Sequence, residues 1–257
     1  MGADMFLHAT VASVDQLTRV RIDEMYGLYA GHYQATSEIW FRRDLTEKDS
    51  VILMQDDRGM LRGFTTLKLL RDQGPDGPAR FIFSGDTIVH PDYWARNNLI
   101  DTWMQHAGRI WAAESDLPLY WFLIVKGHRT YRYLPTLIRD YYPRHDAKTP
   151  EPVQKTMHHL GQATFGESYD PTTGIAHFNE SRGHLVPELA EIPEKDLRRP
   201  YARYFLERNP GYRQGDELIC LAELAPENLK SYPRRAFMRG VADVTPRAER
   251  EPAELTA

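Results

Sequence analysis

The sequence predicts an α/β fold built on a mixed sheet, and three observations carry that reading. A strand (Ala79–Val89), a turn at His90-Pro91-Asp92, a helix (Asn98–Glu114) and a second strand (Leu119–Val125) follow one another without interruption. The second strand is nearly all apolar, the pattern of a strand buried on both faces inside a sheet. Upstream, Val51–Met54 and Leu61–Leu70 flank the tight turn Asp56-Asp57-Arg58-Gly59 and read as a hairpin. A strand-turn-helix-strand unit places a ligand beside the carboxyl ends of its two strands.

In order along the chain, Leu17, Val20, Met25, Leu28 and Tyr29 give a helical face over Asp15–Tyr33, with Gly31 and His32 at its end. Thr36 or Ser37 caps a second helix through Ile39, Trp40 and Phe41, and Glu38 suits its positive end. After the hairpin, the Gly- and Pro-rich Asp72–Pro78 is a turn into the strand beginning near Ala79. Leu99, Trp103, Ala107, Ile110 and Trp111 recur at spacings of three and four, so one aromatic helix face should pack on the sheet. Leu134, Leu137, Ile138 and Tyr141 repeat that spacing, with Pro135 requiring this next helix to start late or kink.

Beyond Pro150 the pattern loosens. Val153, Met157 and Leu160 suggest a helix, Asp170–Gly174 a turn and Ile175–Phe178 a short strand. Another helix carries Tyr201, Ala202, Phe205 and Leu206 and stops at Asn209-Pro210-Gly211, and Glu217–Leu224 is a last strand. From about Lys230 the Pro, Arg and Glu content predicts a loosely held tail.

Bulk properties narrow the function classes. The 257 residues, 42% of them hydrophobic, suit one globular unit with elaborations. A formal net charge of −4 gives no global pull toward nucleic acid or anionic lipid, so neither is an expected partner. The lone cysteine, Cys220, forbids an internal disulfide or a cysteine-based zinc site and reads as a small core residue. No stretch approaches the roughly 20 apolar residues of a membrane helix, and no basic segment leads into a long apolar run, so a cytoplasmic location is expected. His158 and His159 are adjacent, face different ways on a helix and have no carboxylate at ligand spacing, so no metal site is expected.

The order of two helices, a hairpin, a long strand, a helix, a buried strand and a further helix resembles the GNAT acyltransferase superfamily over roughly residues 15 to 145. The resemblance implies a mixed, splayed central sheet flanked by helices, in which Ala79–Val89 and Leu119–Val125 separate to admit the pantetheine arm of an acyl thioester. Residues 1–150 would form this core, 151–230 an elaboration completing the sheet and covering the acceptor side, and 231–257 the tail. The family's donor loop reads V-x-P-x-x-[RQ]-x-x-G-x-[GA]. Here Val89 and Pro91 are kept, but Trp94 stands at the Arg/Gln place, Asn97 at the first glycine and Leu99 at the second small residue. Without those glycines, backbone N–H groups are less open to a pyrophosphate at the helix N-terminus.

Three readings of this departure stand side by side. An acyl carrier protein brings the acyl group on phosphopantetheine, anchored at Arg96, Lys126 and Arg129. Alternatively acyl-CoA binds in a shifted manner, with Asn97 and Asn98 as donors beside Val89. In the third, the fold is kept and the thioester site is lost, leaving a non-catalytic binding module that uses the same crevice, or is turned to decarboxylation or hydrolysis. No tightly bound cofactor is expected.

Acyl transfer to a small-molecule amine needs a base, an oxyanion donor and an acid for the leaving thiol. Ser84-Gly85-Asp86-Thr87 interrupts an apolar strand where the family often carries its base, and the glycine marks a bulge or a close backbone approach. Asp86 is the first candidate for base or substrate contact, with a buried structural role equally open. His90, at the end of the same strand, is the second. Lys126–Tyr133 is the densest polar and aromatic cluster of the chain and contributes His128 and Tyr131. The family's tyrosine acid falls near Leu137 and Ile138, which cannot donate a proton, so Tyr131 or Tyr133 would substitute from one turn earlier, or both are packing residues. The mixture of His, Tyr and Arg in 151–215 suggests a polar or acidic acceptor.

Overall fold

The computed structural model describes residues 7–94, 98–178 and 181–244. Six main strands lie side by side in chain order: β1 (His8–Ser13), β2 (Ser50–Gln55), β3 (Leu61–Gly74), β4 (Gly77–Val89), β5 (Leu119–Val125) and β6 (Glu217–Glu223). Short strands at Ile175–Ala176 and Tyr169–Asp170 extend the β6 edge, and Tyr141–Tyr142 also pairs with β6. The β4–β5 pair is parallel and the others are antiparallel, so the sheet is mixed.

Helices cover both faces. On one face α3 (Leu99–Ala113) packs Trp103, Met104 and Ala107 against Ile52, Leu67, Ile82 and Leu123. The opposite face divides into two cores. Over β2 and β3 lie α1 (Arg19–His32) and α2 (Glu38–Thr46), which bury Met25, Tyr29, Phe41 and Leu45 on Val51, Leu53 and Phe64. Over β4, β5 and β6 lies α4 (Glu151–Phe165), with Met157 and Leu160 on Phe81, Phe122 and Ile219. Thr18 and Ser37 cap α1 and α2, accepting from the N–H groups of Arg21 and Trp40 at 3.2 and 3.4 Å.

Arg80 locks α3 to β4. Its guanidinium is fully buried and donates to the carbonyls of Ile110 (2.7 Å), Trp111 (3.3 Å), Leu117 (2.8 Å) and Glu114. A cation among the unpaired carbonyls of a helix C-terminus satisfies both the charge and the helix end.

The decisive feature is where β4 and β5 part. They pair from Arg80↔Leu119 to Ser84↔Leu123 and no further, while β4 stays paired with β3 up to Val89 and β5 with β6 up to Val125. The β3–β4 register shifts between Thr65↔Thr87 and Leu67↔Ser84, so Gly85 and Asp86 together oppose Thr66. This bulge bends β4 away from β5. Gly85 is required there, since a Cβ would lie 2.5 Å from Thr66 Oγ1 and 2.9 Å from Lys48 Cε.

Two expectations are corrected, and one strand is added. Ser231–Val244 is not a loose tail but a helix, α5, whose Pro233, Ala236, Phe237 and Gly240 are buried at helical spacing. It meets α3 closely: a Cβ on Gly108 would lie 2.0 Å from the Phe237 carbonyl oxygen, and one on Gly240 1.8 Å from that of Gln105. The helix expected over Leu134–Tyr141 is instead two short ones, His128–Tyr131 and Tyr133–Leu137. Pro135 falls in a first turn, where its missing N–H costs nothing, and the chain turns extended at Ile138 to bridge Leu229 and pair Tyr141–Tyr142 with β6. Finally, β1 had no sequence counterpart; it pairs along its whole length with β2.

Candidate functional site

Where α1 and α2 end and α4 begins, the sheet face is left open, and a cavity of about 500 Å³ lies over the parting of β4 and β5. Three adjacent strands send polar side chains into it: Asp86 from the bulge of β4, Lys126 from the end of β5 and Glu217 from the start of β6. Its walls are aromatic, with Tyr33, Trp40 and Phe41 on one side and Phe83, Phe165 and Phe178 on the other.

The charges are unequally matched. Lys126 Nζ pairs with Glu217 Oε1 at 3.0 Å, and the buried Lys48 pairs with Asp44 Oδ1 at 2.6 Å. Asp86 has neither a hydrogen bond nor an ion pair among the described residues. Burial, reinforced by the nearby Asp44 and opposed by Lys126 and Lys48, pushes its carboxyl up to about 7. Tyr29 and Tyr33 are raised by burial and by Asp86, which keeps both phenols protonated. Tyr29 spends its proton on the Arg182 carbonyl (3.1 Å), and its ring stacks on Tyr33 at 4.8 Å.

A second cavity, of about 150 Å³, lies at the ends of the same two strands and is lined by Val89, Trp94, His128, Arg129 and Tyr133. Between the two, a crevice of about 20 Å³ runs in the parting itself, beside Ser84, Gly85 and Tyr133. Thr87 of β4 and Thr130, after β5, border all three spaces, so the gap between the strands joins one cavity to the other.

The structure sorts the residues singled out in the sequence. Asp86 faces the large cavity, and Lys126 lines both cavities but is committed to Glu217. His128 is buried beside the smaller cavity, its Nε2 3.6 Å from Asp196 Oδ2, beyond hydrogen-bond length. Burial, with Arg129 adding to it, pushes that imidazole down to about 4, so it is neutral at pH 7. Arg129 lies 4.3 Å over the Trp94 ring and donates to the Leu189 carbonyl at 2.6 Å. The Val89 carbonyl accepts from the Trp94 indole at 2.7 Å.

Others are set apart. His90 lines none of the three spaces; its Nδ1 accepts from the Asp92 N–H at 3.4 Å at the start of a turn. Tyr131 is a core residue: fully buried, packed on Phe205, donating to the Pro143 carbonyl at 2.8 Å. Tyr133, two residues on, is the tyrosine that borders the gap, and burial raises its phenol. Asn98 precedes α3 outside these spaces, with its Oδ1 buried and without a hydrogen-bond partner among the described residues. Arg96 and Asn97 lie outside the described residues.

Glu217, Asp44, Lys48, Tyr29 and Tyr33 were not anticipated as site residues. Only Glu217 carried a signal, as a carboxylate opening an otherwise apolar strand.

No protein-family model matches the chain, and no curated protein matches it. Similar solved structures include a probable N-acyltransferase from Enterococcus faecalis (14% identity, TM-score 0.39, covering 53% of this chain and 33% of that one). A GNAT family N-acetyltransferase from Escherichia coli in complex with CoA matches at 11% identity and TM-score 0.35, over 52% of this chain and 71% of its own. A GCN5-related N-acetyltransferase from Kribbella flavida matches at 12% identity and TM-score 0.37, over 51% and 32%. The chain spans about a third of the length of the first and third of these.

Proposed function

We propose that this protein is an acyltransferase that moves an acyl group from a thioester, on coenzyme A or on the phosphopantetheine of a carrier protein, to the amine of a small molecule. The observation that carries this reading is the gap between β4 and β5, bordered by Thr87 and Thr130, with the unpaired Asp86 on one side and Tyr133 at the other. Past Ser84 the facing edge of β4 has lost its β5 partner, so a donor arm can lie there without breaking sheet hydrogen bonds.

The amine enters the large cavity, where Asp86, half ionised near pH 7, removes its proton as the nitrogen attacks the thioester carbon. The carbon–sulfur bond then breaks, and the leaving thiolate takes a proton from Tyr133, which solvent restores. Arg129 and Arg132 beside the smaller cavity supply positive charge where the phosphates of either donor approach. Trp94, bonded to the Val89 carbonyl, stands in for the missing glycines by shaping the mouth with a side chain.

The test is mass spectrometry of the protein with a panel of acyl-CoA and acyl-carrier thioesters crossed with amines. Amide product supports transfer. Free acid or loss of carbon dioxide would reassign the same gap to hydrolysis or decarboxylation, and no consumption of any thioester would refute the reading.

A further inference from the structure

The carbonyl carbon of a thioester under attack carries three groups besides its oxygen: the sulfur, the incoming nitrogen and the acyl tail. Three spaces meet at the parting of β4 and β5. The donor arm arrives from the smaller cavity and the amine from the large one, and both cavities share Thr87 and Thr130 with the crevice of about 20 Å³. That crevice turns to the α3 side of the sheet. Leu99, Trp103 and Met104 of α3 line it with Trp121 and Leu123 of β5, all of them buried in the core on that face, whereas Phe122 between the last two belongs to the α4 side.

Its chemistry suits an apolar group. Among the described residues no charged side chain lines it, and its hydroxyls beside the gap are engaged: Ser84 Oγ accepts from the Trp121 indole at 2.9 Å, and the Thr65 and Thr87 hydroxyls bond each other at 2.8 Å. A carboxylate entering there would lose its water and meet no counterion. The walls also limit length. A space of about 20 Å³ holds roughly one water-sized group, the scale of a single methyl. The rings of Trp103 and Trp121 lie 4.5 Å apart between centroids, and the bond to Ser84 holds the Trp121 indole. The helix behind them cannot retreat, because Arg80 ties its end to β4 and Gly108 brings it into backbone contact with α5.

We infer that this crevice is the acyl pocket, and that Trp103, Met104 and Trp121 set the specificity of the reaction by admitting an uncharged acyl group of about two carbons and rejecting longer or carboxylated ones. The inference rests on the acyl-transfer reading and adds to it the class of donor. Each further methylene must be forced into a packed core, at about tenfold or more in rate.

Two measurements on the full chain test it. In isotope-filtered NMR with acetyl thioesters of coenzyme A and of phosphopantetheine, labelled with carbon-13 at the methyl, that methyl should show Overhauser contacts to indole protons, one set lost in Trp103→Phe and another in Trp121→Phe. No such contacts, or contacts unchanged in both variants, would overturn the assignment. In turnover of the same thioesters with an amine panel, acetyl should exceed hexanoyl and succinyl by at least about 100-fold. The acetyl-to-hexanoyl ratio should fall about tenfold in Trp103→Phe and in Met104→Ala; it is read within each variant, so a loss of folded protein cancels. Trp111→Phe, on the same helix but away from the crevice, should keep the parent's ratio. A flat chain-length profile, succinyl transferred as fast as acetyl, or a ratio unmoved by both crevice variants would overturn the acyl pocket and leave acyl transfer standing. Consumption of no thioester at all would refute acyl transfer itself, and the methyl contacts alone would then decide whether the crevice holds the acyl group.

Discussion

Arg80 and Asp86 sit six residues apart on β4, both carry charge into the protein, and they are treated in opposite ways. Arg80 is surrounded by carbonyl oxygens that accept hydrogen bonds from it, at the end of β4 that is zipped to β5. Asp86 lies beyond the last β4–β5 pair, with two lysines nearby that are both committed to other carboxylates. A buried charge whose terminal nitrogens meet four carbonyls holds a fold together. One denied partners keeps a free-energy cost that a substrate can relieve, and its proton affinity moves toward neutrality.

The comparison breaks most sharply on Asp86→Asn. The amide keeps shape and volume but cannot take a proton, so amide-forming turnover should fall by about 100-fold or more while the melting temperature holds or rises. Unchanged turnover would remove Asp86 from the chemistry and make it one more buried carboxylate. The counterpart is Arg80→Met, which leaves the carbonyls at the end of α3 without donors. Urea unfolding should then show a loss of about 3 kcal/mol. A loss below about 1 kcal/mol would mean that water reaches those carbonyls and that this end of β4 is less sealed than its hydrogen bonds imply.

Much of this contrast can be read from the chain, though unevenly. Phe81 and Phe83 face α4, and Ile88 faces the same side of the sheet from an odd spacing, which requires one inserted residue; Gly85 names the place. The α5 helix is equally legible, since 233, 236, 237 and 240 form a helical stripe, but its Pro and Arg content obscures it. Other parts could not be read. Lys126–Glu217 and Lys48–Asp44 differ in sequence only in separation, and nothing local shows that both pairs turn toward Asp86. Tyr131 and Tyr133 belong to helices of four and five residues, too short for periodicity to say which ring faces the core.

Those two tyrosines sharpen the comparison at smaller scale. Tyr133→Phe should lower turnover by about tenfold and leave stability nearly unchanged, because the hydroxyl has no hydrogen-bond partner among the described residues and, in the proposed reaction, serves the leaving thiolate. Tyr131→Phe should do the reverse, costing about 1 kcal/mol for the bond to Pro143 with turnover intact. Steady-state rates paired with unfolding curves distinguish them, and a loss of turnover confined to Tyr131→Phe would exchange their roles.

The smallest effect is a pair of opposed pH dependences. Asp86 moves from an ordinary value of 3.8 up to about 7, so between these pH values the folded protein holds a proton that the unfolded chain has released, and stability falls as pH rises. His128 moves from 6.5 down to about 4, so over that window the unfolded chain holds the extra proton and stability falls as pH drops. The windows overlap between about 4 and 6.5, where the two slopes cancel in part, each at most about 1.4 kcal/mol per pH unit. Each substitution should therefore unmask the other group: relative to the parent, Asp86→Asn should lose stability more steeply toward acid, and His128→Asn should gain it. Thermal unfolding at half-unit steps from pH 4 to 7.5 reads both difference curves. Parallel curves for parent and variants would mean that neither group is held away from its ordinary ionisation, and Asp86 would then be fully ionised at neutral pH, a weaker base than amine deprotonation asks of it.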